Sequence, residues 1–245
     1  MTHPRLAALT SVALFALASP AFAQAPAKPV EAPKPAAAPA APAPTRPGLF
    51  WREGWKQNDA KGTEQPISAI NVGNPDLEVK IYGPDPGLQG PKSDMKSFGG
   101  DTNENNPPHL FSGECKTACG FALRNKKAYA DLSAPLSRIR LNTKMSGLHK
   151  VYPIIKLANG DWYVGDQPQG PSIRDYIVSE FSVADVHWIK IDPNTLLTKG
   201  NPVDKLDLTK VDEIGFMDPA PASGHGAGGW FDVGFVEVYS KSTPR

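Results

Sequence analysis

Cysteine is scarce in the 245-residue sequence, and charge of neither sign dominates it. Only two cysteines occur, and the formal net charge is +1. Because a near-neutral chain has no general attraction to polyanions, we expect neither nucleic acid nor an anionic membrane surface as a partner. No apolar run beyond the N-terminal region reaches the roughly 20 residues that span a bilayer, so the sequence predicts no membrane insertion.

Motifs of the common catalytic and metal-binding sites are also missing. The five histidines form no H-E-x-x-H motif and no i, i+2 pair, and there is no G-x-S-x-G nucleophile motif. We interpret His149, beside a Ser-Gly turn, and His187, beside Trp188, as hydrogen-bonded structural residues. The sequence therefore predicts no metal site built on histidine.

Carboxylates are the remaining candidates for catalysis, because glycoside hydrolysis needs two of them about 5 to 10 Å apart. No two are spaced as a pair on one strand. A catalytic pair would have to come from separate strands, and the sequence leaves this alternative open. The candidate carboxylates are Glu114, Asp131, Asp161, Asp166, Asp175, Glu180, Asp218 and Asp232.

The first 23 residues have the three parts of a signal peptide. Arg5 gives a positive start, the apolar stretch LAALTSVALFALA follows, and Ala21-Phe22-Ala23 fits the small-x-small cleavage rule. The sequence therefore predicts a signal peptide over residues 1–23 and an exported protein, periplasmic or extracellular. A retained membrane anchor is the alternative, but the apolar stretch is shorter than a membrane-spanning helix.

Residues 24–48 are almost entirely alanine and proline. Such a segment has little apolar area to bury and few backbone donors, so it predicts a disordered, extended linker. The linker is either a spacer or a cell-wall-spanning or partner-binding tail. The remaining residues, 49–241, are enough for one β-sandwich domain with a sizeable core.

The two cysteines, Cys115 and Cys119, are separated by three residues. In an exported protein this spacing predicts a disulfide across a tight turn or bulge. The closed loop is short, so its entropic stabilisation is only about 2 kcal/mol. Zinc is a poor alternative, because no second Cys/His pair lies at ligand spacing.

Apolar and polar residues alternate with a period of two in much of the domain, which is typical of β-strands. The clearest strand runs from about Leu136 to Met145, and Asn159-Gly160 is a two-residue hairpin signal between apolar runs. No amphipathic helix of three turns occurs. The pattern predicts an all-β protein, a jelly-roll β-sandwich.

The connecting segments carry three further predictions. Residues 84–109 read as a long polar loop, and residues 194–210 as a connection that has room for one helical turn. Phe50, Trp51 and Trp55 follow the linker directly. These aromatic residues either plug the open end of the sandwich or form a platform for sugar rings.

Two apolar runs close the chain, Val211–Phe216 and Phe231–Tyr239, and they predict a hairpin of two strands that completes the sheets. Between them, Gly224-x-Gly226-x-x-Gly229 matches the letters of a dinucleotide fingerprint. The context differs, because a proline-rich loop precedes the glycines and a strand, not a helix, follows them. We interpret this segment as a flexible loop.

The order of motifs YADLSAPLSRIRLNTKMSG, KVYPIIKLANGDWYVGD, SVADVHWIKID and VDEIGFMD…WFDVGFVEVY resembles galactose-binding-like jelly-roll domains. These include many carbohydrate-binding modules and the complex I intermediate-associated protein type. The resemblance covers roughly residues 120–240. A weaker similarity, in LFWREGWK and NPDLEVKIYG, is to concanavalin-like secreted sugar hydrolases. Neither resemblance transfers a catalytic residue to this chain.

The resemblance implies a non-catalytic carbohydrate-binding module. A glycoside hydrolase or polysaccharide lyase on a similar sandwich is the first alternative. A non-catalytic envelope or assembly protein is the second.

A polar strand face is the best candidate for a binding surface. Basic and amide side chains alternate along one predicted strand, and further lysines lie on others. On one concave sheet they would form a basic trough, in which guanidinium groups suit carboxylates or sulfates and a tryptophan stacks on sugar rings. This predicts an acidic glycan as ligand; an ordinary solvated face with salt bridges is the alternative. The candidate ligand-binding residues are Arg124, Arg138, Arg140, Asn142, Lys156, Trp188 and Lys190.

Sandwiches of this type often hold a structural Ca²⁺ near the chain ends, bound by carboxylates and backbone carbonyls. Asp76 and Glu237 are the residues that could contribute to it. The sequence contains no compact run of calcium ligands, and it predicts no other cofactor.

Overall fold

The computed structural model describes residues 45–56, 65–85, 95–100, 105–113, 117–146, 150–170, 172–219 and 229–245. The predicted signal peptide, nearly all of the predicted linker, Cys115, His149 and the loop with Gly224 and Gly226 lie outside these ranges. The corresponding predictions, the disulfide included, remain predictions. Cys119, its predicted partner, is fully buried at the start of a strand.

The described residues form strands and two short 3-10 turns, so the prediction of an all-β protein is confirmed. No helix in the described ranges is long and apolar enough to cross a membrane. The strands are β1 (Leu49–Glu53), β2 (Gln65–Pro66), β3 (Leu77–Tyr82), β4 (Lys96–Phe98), β5 (His109–Phe111), β6 (Cys119–Asn125), β7 (Ala128–Asp131), β8 (Arg138–Met145), β9 (Tyr152–Leu157), β10 (Trp162–Gly165), β11 (Ile177–Ser182), β12 (Trp188–Ile191), β13 (Thr198–Val203), β14 (Val211–Asp218), β15 (Phe231–Tyr239) and β16 (Lys241–Pro244). The two 3-10 turns are Ala69–Asn71 and Val183–Asp185.

The strands pair antiparallel in two sheets that form a sandwich, as predicted. Sheet A has seven strands in the order β11-β8-β15-β5-β4-β2, with β1 also paired to β15. Sheet B has nine, in the order β13-β12-β10-β9-β14-β6-β3, with β7 and β16 attached beside β14.

The sheets enclose one large core made by strand alternation. On β8, Ile139, Leu141 and Thr143 point inward and are fully buried, while the residues between them are half-exposed. Phe121 and Phe216 from sheet B and Phe231 from sheet A all belong to this core. Burial of such apolar area is the main term that stabilises the sandwich.

The two closing strands are central, but they do not form the predicted hairpin. β14 pairs with β6 and β9 in sheet B, whereas β15 pairs with β8 and β5 in sheet A. Packed sheets lie about 10 Å apart, too far for backbone hydrogen bonds between these two strands. Each closing strand therefore completes a different layer.

Each of two predicted loops contains a strand. In residues 194–210, the Leu196 N–H donates to the Asp192 carbonyl at 2.7 Å and closes one helical-type turn, for which the sequence left room, and β13 follows and extends sheet B by pairing with β12. The long polar loop 84–109 contains β4, which pairs with β5. In both segments a sheet edge with free backbone groups supplies the hydrogen bonds that the sequence pattern alone does not reveal.

The aromatic residues that follow the linker are part of the sandwich. Trp51 and Trp55 are each about one-twentieth exposed, and the Trp55 indole N–H donates to the carbonyl of Val233 at 2.8 Å. Buried tryptophan rings cannot stack on a sugar. The burial of Trp51 and Trp55 therefore agrees with the prediction that these residues plug the end of the sandwich, and not with a platform for sugar rings.

Candidate functional site

The predicted binding residues do not come together in one trough. Arg138, Arg140 and Asn142 lie on β8 of sheet A, whereas Arg124, Lys156 and Lys190 lie on β6, β9 and β12 of sheet B. The basic residues are thus split between the two layers. Strand alternation shows which residues share a face of one strand, but it does not show which sheet the strand joins.

Trp188 does not offer a stacking ring. It is 3% exposed and belongs to the core between the sheets. The Lys190 ammonium, two residues further, is exposed and pairs with the Asp161 carboxylate at 2.6 Å. The prediction of a tryptophan and a lysine acting side by side on a ligand is therefore not supported by their placement.

On sheet B, Arg124 and Lys156 belong to an internal ion-pair network. Lys156 Nζ lies 2.8 Å from Oε1 of Glu213, a fully buried carboxylate that also accepts the Tyr82 hydroxyl at 2.5 Å. Burial opposes the charge of Lys156, but the hydrogen bond and charge of Glu213 outweigh it and raise the Lys156 pKa. Arg124 bridges Glu78 and Asp212, each at 3.0 Å. These cations hold strands together and are already paired.

On sheet A, the arginines of β8 also have acidic partners. Arg140 Nη1 lies 2.8 Å from Oε2 of Glu237, whose other oxygen accepts Arg52 at 2.9 Å. The hydrogen bond to Tyr239, followed by the charge of Glu237, raises the pKa of Arg140. Arg138 stacks over the Tyr239 ring at 3.8 Å. The alternative prediction, a strand face with salt bridges, describes this part of the surface.

The carboxylates considered for Ca²⁺ are occupied by cations of the chain. Glu237 binds two arginines, and Asp76 pairs with Lys127 at 2.7 Å. In the described part of the chain, no three His, Cys, Asp or Glu side chains are grouped as metal ligands.

Several of the carboxylates considered for catalysis are paired as well. Asp161 binds Lys190, and Glu180 lies near Arg138 at 3.3 Å. Asp166 accepts His187 Nδ1 at 2.8 Å, and although burial opposes its charge, the bonds from His187 lower its pKa. His187 is therefore hydrogen-bonded, as interpreted from the sequence. Asp232 has a different environment.

A cluster of rings covers one end of the outer face of sheet A. It is formed by Phe98, His109, Phe111, Tyr176 and Trp230, and we name it the aromatic face. Phe98 stacks on His109 with centroids 5.2 Å apart, and Phe111 contacts both Phe98 at 5.5 Å and Trp230 at 6.1 Å. All of its members except His109 are half-exposed, so they present ring surface to solvent.

Asp232 lies beneath the aromatic face. The residue is 8% exposed, its Oδ1 lies 4.0 Å from His109 Nε2, and the Tyr176 hydroxyl donates to Oδ2 at 3.5 Å. Among the described residues Oδ1 has no hydrogen-bond partner. Burial raises the pKa of Asp232 to about 7, against a smaller opposing effect of Lys144, its cross-strand neighbour.

The tautomer of His109 follows from its backbone contact. Nδ1 lies 2.8 Å from the carbonyl oxygen of Pro107, and a carbonyl only accepts, so Nδ1 carries the proton and Nε2 is the acceptor of the neutral ring. Burial lowers the His109 pKa. His109 Nε2 therefore faces the Asp232 carboxyl group, which keeps its proton up to about neutral pH. Together, His109 and Asp232 place little net charge beneath the aromatic face.

Sequence reasoning missed most of this face. Asp232 was among the candidate carboxylates, but Phe98 and His109 lie in the segment that was interpreted as a loop, and Phe111 was given no role. Trp230 directly precedes β15, so the alternation of that strand could have placed its ring on the outer face.

A separate pocket of about 300 Å³ lies on sheet B. Its lining is mostly apolar and includes Asp166, and neither the aromatic face nor the network of Glu213 contributes to it. The residues that form most of its wall are Tyr152, Val164, Ile189, Leu196, Leu197 and Met217.

No protein-family model and no curated protein matches this chain. Among solved structures, the family 11 carbohydrate-binding module of the cellulosomal cellulase Lic26A-Cel5E of Clostridium thermocellum is 15% identical over 75% of this chain and 97% of the module, with a TM-score of 0.42. A CBM4 structure is 12% identical over 67% of this chain and 94% of its own, with a TM-score of 0.30.

A structure described as an exo-beta-agarase is 9% identical over 75% of this chain and 26% of its own, with a TM-score of 0.39. Carbohydrate-binding modules are thus among the similar structures, as the sequence resemblance implied. Because these TM-scores are all below 0.5, the similar structures support no conclusion about this chain, and the sandwich architecture rests on its own strand pairing.

Proposed function

We propose that this protein binds a glycan on the aromatic face of sheet A. The observation that carries the proposal is the set of half-exposed rings beside two polar groups, Asp232, which contacts Tyr176 and His109, and Lys144, which lies 6.0 Å from the centre of the Tyr176 ring. Ligand sites are typically apolar and aromatic surfaces with a few placed polar groups, and the rings suit the C–H faces of sugars while the polar groups suit their hydroxyls.

An acidic glycan is the finer form of the proposal. The outer face of sheet A carries Arg52, Arg138, Arg140 and Lys144 against the acids Glu180, Glu237 and Asp232. When Asp232 is protonated, two carboxylates remain to balance four cations. This excess supports an anionic ligand, most strongly below neutral pH. Export belongs to the same proposal, on the strength of the predicted signal peptide.

Trp230→Ala is the test of the aromatic face. Loss of the ring should weaken glycan binding by about tenfold or more, because large aromatic side chains dominate binding surfaces. A glycan array with the purified chain would identify neutral or uronate ligands, and calorimetric titration would then compare the variants. Tyr152→Ala removes a half-exposed ring from sheet B and should leave affinity unchanged. Equal affinities of wild type and Trp230→Ala would contradict the proposal.

A sugar-active enzyme is the second candidate function, and Asp232 is the observation that favours it. A carboxylic acid with a pKa of about 7 is protonated near neutral pH and suits a general acid. Reducing-sugar release from bound glycans, lost in Asp232→Asn, would support this function. Binding without release from any glycan on the array would exclude it for those ligands.

The envelope or assembly alternative calls for a contiguous apolar surface. The large exposed apolar side chains in the described ranges come from both sheets and their connections, and they are Leu49, Ile70, Ile173, Val178, Leu197 and Val203. Their dispersion favours glycan binding over assembly.

A further inference from the structure

A small polar pocket lies on sheet A at the other end of β8 from the aromatic face. Its volume is about 190 Å³. Arg138 lies in it, and Lys144 beside the aromatic face is six residues further along the strand, a distance of about 20 Å. The pocket is lined by Arg46, Leu136, Ser137, Arg138, Glu180 and Ser182.

Two residues that line this pocket each carry a buried donor with no acceptor in the described part of the chain. Ser137 is 1% exposed, and its backbone is satisfied, because its N–H donates to Ala134 at 2.9 Å and its carbonyl accepts Val183 at 3.1 Å. The Ser137 hydroxyl is nevertheless without a partner, and so is Nη1 of Arg138. The rest of the Arg138 guanidinium is fixed by Glu180 and by the ring of Tyr239.

The two unsatisfied groups, the Ser137 hydroxyl and Arg138 Nη1, indicate the chemical class of the ligand. Both are donors, and buried donors are normally hydrogen-bonded, so the pocket is complete only when an acceptor enters it. Arg46 and Arg138 contribute two positive charges to the lining and Glu180 one negative charge. Glu180 also lies 3.8 Å from Arg140, which offsets its charge from outside the pocket. An oxyanion presents several acceptor oxygens and matches the fork of a guanidinium group.

We propose that this pocket binds a small oxyanion, a carboxylate or a sulfate. Arg138 Nη1 and the Ser137 hydroxyl donate to its oxygens, and Arg46 adds a positive charge at the rim. The same chemistry has two sources, a uronate or sulfate group on a glycan and a free inorganic anion. The site goes beyond the glycan proposal, since the orphan donors are present whether or not the aromatic face binds a sugar.

Calorimetric titration of the purified chain with sodium sulfate, glucuronate and glucose would test the pocket at constant ionic strength. Sulfate or glucuronate should bind and glucose should not. Arg138→Gln should lower anion affinity at least about tenfold, and Ser137→Ala should lower it several-fold. Lys199→Gln removes the same charge from an exposed lysine that pairs with Asp192 on sheet B, and it should leave the affinity unchanged.

Ser137→Ala also distinguishes weaker anion binding from loss of folding. It deletes a buried hydroxyl without a partner, so it should leave the melting temperature of the free protein unchanged or raise it. A variant that melts normally but binds anions more weakly therefore reports on the pocket. Arg138→Lys keeps the charge without the fork, and its affinity should fall between those of wild type and Arg138→Gln.

Two positive outcomes separate the sources of the anion. Equal affinity for sulfate and glucuronate oligomers supports a free-anion site, and affinity for the oligomers at least about tenfold higher supports an acidic group on a glycan. Absence of anion binding to the wild type would overturn the proposal, as would equal losses in Arg138→Gln and Lys199→Gln. Trp230→Ala should retain sulfate binding, so failure of the glycan proposal would leave this result intact.

Discussion

Replacing Glu213 with alanine is expected to lower the free energy of unfolding by about 3 kcal/mol. The side chain is fully buried and is shared by Lys156 at 2.8 Å, Lys80 at 3.4 Å and the Tyr82 hydroxyl at 2.5 Å. Its removal leaves the partly buried ammonium of Lys156 with the more distant Asp212 carboxylate, at 3.5 Å, as its acidic partner among the described residues. Breaking a buried pair from one side costs more than the pair contributes, because the remaining charge stays desolvated.

Urea denaturation at pH 7 would measure this effect. Glu213→Gln keeps the shape and one acceptor oxygen, so it should cost about half as much as the alanine variant. Lys199→Gln, which breaks an exposed pair with Asp192, should change the free energy of unfolding by less than about 1 kcal/mol. A loss below about 1 kcal/mol for Glu213→Ala would show that the network on sheet B does not stabilise the fold and that Lys156 is free for another role.

Asp232→Asn should make the protein more stable at pH 8, by about 2 to 4 kcal/mol, and leave it nearly unchanged at pH 4. The pKa of Asp232 is about 7 in the folded protein and about 3.9 for an unfolded aspartate. Between these values the folded state holds a proton that the unfolded state has lost. Stability from this group is therefore fully present below about pH 4 and is lost as the pH rises through about 7.

The size of the effect follows from the same two pKa values. One unit is about 1.4 kcal/mol, so three units give an upper limit of about 4 kcal/mol, which relaxation around the carboxylate reduces. Asparagine resembles the neutral acid at every pH, so the variant avoids the cost of a buried charge. For a domain of this size, each kcal/mol shifts the melting temperature by about 2 to 4 °C.

Thermal melts of the wild type and Asp232→Asn from pH 4 to 8 would check this prediction. His109 acts in the opposite direction, because its lowered pKa makes stability rise with pH, so the difference between the two proteins isolates Asp232. Lys144 and Tyr176, the other groups that face Asp232, are the same in both proteins.

Asp192→Asn is the control. It removes a carboxylate whose pKa is lowered, first by the Asn194 backbone N–H, so it should give no gain in stability at pH 8. A difference in melting temperature between Asp232→Asn and the wild type that stays constant from pH 4 to 8 would contradict a raised pKa of Asp232.

Local signals in the sequence anticipated most strands. The alternation of Ile139, Leu141 and Thr143 with polar residues gave β8 its buried face, and Asn159-Gly160 gave the turn between β9 and β10. Short strands with weak patterns were harder. β4 and β13 have no clear alternation, and they exist because a neighbouring strand already offers backbone donors and acceptors.

The candidate site, too, was only partly predictable from local patterns in the sequence. The sequence identified Arg138 and Arg140 as neighbours on one face, and both lie on the outer side of sheet A. It also grouped Lys156 and Trp188 with them, but these residues belong to sheet B. The aromatic face joins side chains that are as far apart in the chain as Phe98 and Trp230, and no local pattern brings such residues together.

The sequence by itself determined the all-β class and the inward and outward sides of its regular strands, because a period of two is a property of the extended backbone. Only the tertiary structure decided which sheet each strand joins and which charges are paired. Those depend on contacts between distant strands, such as Glu213 with Tyr82 and Lys156 or Glu237 with Arg52 and Arg140. It also buried Asp232 beneath the rings, where loss of solvent makes an ordinary aspartate a neutral acid.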